Sequence, residues 1–139
     1  MSENLHVDIH EGVAEVTLNR PRQRNALTFS MYERLLGFCE KAARDGDLRA
    51  VLITGAGDKA FAAGTDIAEF HTVRTAEDGL AYEAKIERVL SALETLPVPT
   101  IAAIAGACTG GGAAIAACCD LRIATRSLKF GFPIARTLG

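Results

Sequence analysis

The stretch from Thr100 to Asp120, TIAAIAGACTGGGAAIAACCD, does most to limit what this chain can fold into. It opens on an apolar run, Ile101 to Ala105, preceded by Pro97 and Pro99. A run of that kind reads as a buried strand. A turn follows, with Gly106 and then Gly110, Gly111 and Gly112, and the small residues Ala113 to Ala117 continue as a helix. A strand, a glycine turn and a helix in series present backbone N–H groups at a helix N-terminus, where partial positive charge favours an anion. The glycines also permit φ > 0 and a close approach to the main chain. On these residues alone, tight helix–strand packing is an equal reason for them.

Two nucleotide-binding readings fail on missing residues. A phosphate-binding P-loop needs a lysine after its last glycine, and no Lys or Arg follows Gly112. A dinucleotide fingerprint needs GxGxxG and an acidic residue about 20 positions on, and the stretch has neither. The remaining chemical reading is an oxyanion site, in which main-chain N–H groups stabilise a carbonyl oxygen as it becomes an enolate.

The flanking pattern is that of an α/β fold. Val7–Ile9 and Val13–Leu18 alternate apolar and polar residues around Glu11-Gly12, a hairpin signal. After the basic loop RQRNALT, Thr28 is placed to cap a helix over 29–44, with Met31, Leu35, Phe38, Cys39 and Ala42 at helical spacing. Residues 50–54 make a short buried strand, and 55–64 read as a loop of small residues. A second helix is expected over 75–96, with Ile86, Val89, Leu90, Leu93 and Leu96 as its apolar stripe. Its Glu83, Lys85, Glu87 and Arg88 read as a solvated face. LRIA, 121–124, makes a further strand. Strands alternating with helices imply a largely parallel sheet that begins with a hairpin. No repeat or linker divides the sequence.

Composition excludes rather than identifies. A net charge of −2 gives no nucleic-acid or membrane electrostatics, and the chain has no long apolar run or signal-peptide pattern. The expectation is a cytoplasmic protein that binds neither nucleic acid nor membrane. Cys39, Cys108, Cys118 and Cys119 lack CxxC spacing and read as small buried apolar residues. The three histidines, His6, His10 and His71, form no ligand pattern, so no metal is expected.

An oxyanion hole needs two donors, usually from separate segments. Phe61-Ala62-Ala63-Gly64-Thr65-Asp66-Ile67 is a second loop of small residues, also expected at the carboxyl end of a parallel strand, where α/β sheets bind ligands. NRPRQRNALT, AFAAGTDI and AIAGACTGGGAAIAACCDLRIA, in this order and spacing, resemble the N-terminal signatures of the crotonase superfamily, the enoyl-CoA hydratase/isomerase family. The resemblance runs from about Val7 to Phe132. It implies a ββα superhelix, with repeated strand–strand–helix turns forming two stacked sheets, followed in the family by C-terminal helices that drive trimerisation. It also implies an acyl-CoA thioester as substrate, coenzyme A being part of that substrate rather than a separate cofactor. The full span, 1–139, is then an acyl-CoA-binding core incomplete at its C-terminus, truncated before the helical region and a homotrimer or dimer of trimers at full length.

Carried over by motif, the resemblance makes the backbone N–H groups of Thr65 and Gly111 the oxyanion donors. Arg24, Ala26, Ala63, Asp66, Ile67 and Ala68 resemble the positions that cradle coenzyme A, with Arg24 placed to meet a phosphate. Arg24 reads equally as a solvated surface arginine, and the Thr65 side chain as one of no chemical consequence. The two glutamates with which family hydratases add water are replaced here by Ala114 and Ile134, neither of which can transfer a proton. Asp120 resembles a structural position of the family. Glu69 and His71 follow the first loop and are placed to overhang an acyl pocket, while Cys108 and Thr109 lack a base partner. Isomerisation, decarboxylation or thioester hydrolysis is then as reasonable as hydration. The alternative is a non-catalytic acyl-CoA-binding or assembly protein of the same fold.

Overall fold

Alternation in the first twenty residues closes as a hairpin. Strands β1 (Leu5–His10) and β2 (Val13–Leu18) pair antiparallel, with His10 opposite Val13. Glu11 and Gly12 between them hold φ of 51° and 82°, the primed turn whose twist matches that of the strands. The computed structural model describes residues 4–132. Helix α1 (Phe29–Ala42) follows, and the Thr28 hydroxyl caps it by accepting from Met31 N at 3.1 Å.

Beyond α1 the chain visits two sheets in alternation. β3 (Ala50–Gly55), β5 (Thr100–Ile104) and β7 (Leu121–Ala124) extend the hairpin into a five-stranded sheet of order β1-β2-β3-β5-β7, parallel from β2 onward. β4 (Ala60–Ala63), β6 (Ala107–Thr109) and β8 (Lys129–Gly131) form a second, wholly parallel sheet of order β4-β6-β8. Helix α2 (Ala76–Glu94) returns the chain from β4 to β5, and α3 (Gly111–Cys118) returns it from β6 to β7. Each strand–strand–helix unit thus adds one strand to each sheet, the superhelix that the sequence resemblance implies. The repetition is one of topology and leaves no repeat in the sequence.

The core lies where α1, α2 and α3 meet these sheets. Val16, Leu18, Val51 and Ile53 from the large sheet join Met31, Leu35, Val89, Leu93, Phe61 and Ile115 in one buried cluster. The apolar stripe expected on α2 divides: Val89, Leu93 and Leu96 are buried, whereas Ile86 and Leu90 are half-buried.

The second sheet corrects the sequence reading. Residues 60–63 and 107–109 were expected within a loop and a glycine turn, yet they pair as β4 and β6, Ala63 opposite Thr109. These strands are four and three residues of mostly alanine. With Phe61 and Thr109 as their single aromatic and β-branched residues, such short segments show no alternating strand pattern, and only the partner across the ladder makes them strands. The helix over 29–44 ends earlier, at Ala42, and residues 67–72 form a 3₁₀ turn that the pattern did not indicate.

One buried carboxamide ties the basic loop to the strand ends. Asn25 is fully buried with φ of 56°, accepts from Arg20 N at 2.8 Å, and donates to Ala60 O at 2.8 Å and Ala56 O at 3.0 Å. Arg20 continues the tie, donating to Ala26 O at 2.6 Å and pairing with Asp66 at 2.8 Å. Replacing Asn25 by Ala strands buried polar groups at both strand ends and puts a residue poorly suited to left-handed φ in its place. The expected loss is at least about 2 kcal/mol in urea unfolding, and a variant within about 0.5 kcal/mol of the parent contradicts this role.

Candidate functional site

The register of the second sheet sets the site. Because Ala63 lies opposite Thr109 in parallel β4 and β6, the segments that follow, Gly64-Thr65 and Gly110-Gly111, leave the sheet side by side. The carboxyl edge of parallel strands is where α/β folds bind ligands. Gly64 N donates to Thr109 O at 3.0 Å and joins the two exits. Thr65 pairs with Leu27 in an isolated parallel bridge, through Leu27 N to Gly64 O and Asp66 N to Leu27 O, each 2.8 Å. In extended backbone the intervening N–H, that of Thr65, points away from Leu27. Gly111 opens α3, so its N–H has no acceptor within the helix; Ala114 N makes the first such bond, to Gly110 O at 3.0 Å. Among the described residues, no acceptor takes the N–H of Thr65 or of Gly111.

The triple glycine is required by close approach as much as by conformation. Gly110 holds φ of 53° with ψ of −121°. A Cβ on Gly112 would overlap the Ala62 carbonyl oxygen and sit 2.9 Å from its carbon. A Cβ on Gly111 would overlap the Tyr32 hydroxyl and sit 3.3 Å from Thr65 Oγ1. Close contact of α3 with β4 therefore brings Gly111 beside Thr65.

Hydroxyl groups back this point. Thr65 Oγ1 bonds with Tyr32 Oη at 2.9 Å and accepts from Tyr82 Oη at 3.3 Å. The Thr65 side chain, which the sequence left without a role, holds α1 and α2 against the loop. Tyr82 also packs at a tilt of 40° against Phe29, ring centroids 4.8 Å apart, and meets Phe70 edge-on. Burial pushes the Tyr32 phenol up to about 12, so it stays a neutral donor and acceptor.

A cleft of about 420 Å³ opens over these groups, lined by Tyr32, Thr65, Tyr82, Gly110, Gly111 and Ala114, with Glu83, Ile86, Glu87, Leu90 and Phe132 as its further wall. Ala114 presents only a methyl there. Ile134 lies outside the described residues. Glu83 and Glu87, expected on a solvated face, are exposed as expected and also line the open side of the cleft. Tyr82, Glu83, Ile86, Glu87 and Leu90 share one stripe of α2, a signal hidden in the sequence because it mixes charged with apolar residues. The carboxylates singled out from sequence are engaged elsewhere. Glu69 accepts from Phe29 N at 2.8 Å at the start of α1, and Asp120 accepts from Thr100 N at 2.9 Å. His71 is exposed in the 3₁₀ turn, and neither it nor Glu69 lines the cleft. Cys108 is buried in β6. Among the described residues no group of His, Cys, Asp and Glu could hold a metal ion, and no helix is long and apolar enough to cross a membrane.

The six positions matched to coenzyme A fall on two adjoining segments. Ala63 N donates to Arg24 O at 3.0 Å, and Arg20, missed in the sequence, links Ala26 to Asp66. Asp66 caps the 3₁₀ turn by accepting from Ala68 N at 3.0 Å; that bond and Arg20 hold its carboxyl below the ordinary aspartate value. Ile67 is 81% exposed beside Ala68, the largest fraction among the exposed large apolar side chains. Arg24 is exposed and lines a separate groove with Arg22 and Lys59.

Two sheets filled alternately by strand–strand–helix units define an α/β fold of the crotonase class. The family profile described as enoyl-CoA hydratase/isomerase matches residues 8–137, and the chain belongs to that family. It is 40% identical over 130 residues to the short-chain-enoyl-CoA hydratase of Clostridium acetobutylicum, covering 94% of this chain and 49% of that protein. It is 35% identical over 131 residues to the crotonyl-CoA hydratase of Syntrophomonas wolfei, covering 94% and 50%. The crystal structure of an enoyl-CoA hydratase/carnithine racemase from Magnetospirillum magneticum superposes with a TM-score of 0.91 at 40% identity, covering 99% of this chain and 52% of that one. An enoyl-CoA hydratase from Bacillus anthracis gives 0.90 at 36%, covering 99% and 53%. The chain spans about half the length of the relatives it matches.

The buried thiols fix a pH limit for this architecture. Burial pushes Cys39 up to about 12 and Cys108 and Cys119 up to about 11, from 9.0. Between those values the unfolded thiols have lost protons that the folded ones keep, so the unfolded state binds fewer protons and stability falls as pH rises. Urea midpoints are expected to hold up to about pH 9 and drop steadily to about pH 11. A flat profile across that window contradicts neutral buried thiols.

Proposed function

We propose that the cleft binds an acyl-CoA thioester and that the Thr65 and Gly111 N–H groups form an oxyanion hole for its enolate. The observation that carries this reading is that Thr65 and Gly111, whose main-chain N–H groups are unengaged, follow neighbouring parallel strands and line one apolar cleft. In such a site the thioester carbonyl oxygen lies between the two donors, and negative charge developing on it is held by dipoles already in place. Arg24, with Arg22 and Lys59 beside it, suits the phosphates of coenzyme A, while Ala26, Ala63, Asp66, Ile67 and Ala68 form the small-residue edge along which the pantetheine runs. Tyr32 and Tyr82 fix the Thr65 loop and so the position of its N–H.

The resulting reaction is a lyase or isomerase step on an acyl-CoA of fatty acid metabolism, carried out by a cytoplasmic homotrimer or dimer of trimers. It does not run through the usual glutamate pair, since Ala114 stands at the position of the first. That same alanine favours the second reading, an acyl-CoA-binding or assembly protein that keeps the fold without turnover.

Acetoacetyl-CoA separates these possibilities, because its enolate absorbs in the near ultraviolet. Titrating it into the full-length protein is expected to raise the enolate band, and Gly111→Pro, which lacks the N–H, to abolish the rise. Loss of one oxyanion donor should lower crotonyl-CoA turnover about 10²–10³-fold. Binding without enolate and without turnover favours the assembly protein; absence of acyl-CoA binding by calorimetry overturns both readings.

A further inference from the structure

We propose that Glu83 and Glu87 of α2 supply the proton-transfer groups of the cleft, in place of the carboxylate that Ala114 lacks. The assignment rests on the reading of the cleft as an acyl-CoA site. Residues four apart on a helix are neighbours on one face, with Cβ atoms about 5–6 Å apart. Glu83 and Glu87 share that face with Ile86 and Leu90, and all four line the same cleft as Thr65, Gly111 and Ala114. The orientation of the helix is held on two sides. Tyr82 bonds to Thr65 Oγ1, and Val89 and Leu93 are buried in the core.

Elimination points the same way. Asp66 is held by Arg20 and Ala68 N, Glu69 by Phe29 N, and Asp120 by Thr100. Lys85, on the adjoining face of α2, pairs with Glu33 of α1. Among the described residues no hydrogen bond or ion pair engages Glu83 or Glu87. Glu83 and Glu87 are thus the carboxylates that line the cleft with no bond of their own, and a carboxylate at an apolar cleft beside two main-chain donors is suited to general acid–base work.

The step balances without a further reactant. One carboxylate takes the proton from the carbon next to the thioester carbonyl. The C–H electron pair becomes the carbon–carbon double bond of the enolate, and the carbonyl π pair moves onto the oxygen held by the Thr65 and Gly111 N–H groups. Collapse of the enolate takes a proton back from the carboxyl group so formed, after that group has exchanged with solvent, at the same carbon or, in an unsaturated chain, two carbons along.

Proton NMR of butyryl-CoA in D₂O with the full-length protein reads this step as loss of the signal from the CH₂ next to the carbonyl. The parent protein is expected to exchange these protons, and the double variant E83Q/E87Q to exchange them at least about 100-fold more slowly, with butyryl-CoA affinity and unfolding midpoint unchanged. The single variants apportion the loss between the two residues. Undiminished exchange in the double variant overturns the assignment, as does a parent that binds butyryl-CoA without exchange. A merely structural role would move the unfolding midpoint and leave exchange intact. If the parent fails to bind butyryl-CoA, the acyl-CoA reading itself falls and takes this assignment with it.

Discussion

The site depends on how closely the first turn of α3 lies against the backbone of β4. Gly112 has no side chain to separate its Cα from the Ala62 carbonyl, and Gly111 has none to push against Tyr32. Any side chain at either position would lift the helix from the second sheet by something like its own thickness, in an interior packed as densely as an organic crystal. With the helix in contact, its first N–H groups, which have no partner within the helix, fall beside the loop that leaves β4. The glycines are therefore steric first. Their electrostatic consequence follows from where the helix is allowed to sit.

Rigidity of the opposing loop comes from hydrogen bonds rather than apolar burial. Gly64 and Asp66 are tied to Thr109 and Leu27 through main-chain bonds, Arg20 bridges Ala26 and Asp66, and Asn25 fixes the start of β4. A donor held in this way needs no reorganisation when charge develops on a ligand, which is the condition for large electrostatic stabilisation. The Tyr32–Thr65–Tyr82 hydroxyls add a link from this loop to both long helices. Every buried side-chain polar atom among the described residues has a partner, so these ties leave no unsatisfied group in the interior.

Charge is arranged with comparable economy. Asp66, Glu69 and Asp120, close to the loops, cap helices or clamp strands, whereas Glu83 and Glu87 of α2 line the cleft. Arg122 follows the same logic at the far end of α3, donating to the carbonyls of Ala116 and Cys119 at 3.1 and 2.8 Å where the helix leaves its last acceptors open. Side chains that are interchangeable by composition are separated by position into structural and cleft-facing sets.

The sequence by itself determined the local elements and the motifs. The hairpin about Glu11-Gly12, the Thr28 cap, the two long helices and the strand–glycine–helix series from Thr100 follow from periodicity and from residues with special backbone freedom. The order of those motifs was sufficient to point to the family. Tertiary structure alone decided the second sheet, because Ala60–Ala63 and Ala107–Thr109 become strands only through each other. It likewise decided which charges matter. Glu69 and His71 stood nearest the loop in sequence but lie away from the cleft, whereas Glu83 and Glu87 reach it because α2 folds back over α3. The glycine stretch, a generic place for an anion by itself, lies beside the loop of Thr65 because parallel register sets Ala63 opposite Thr109. Register is a property of two segments together, so neither segment's sequence could have supplied it.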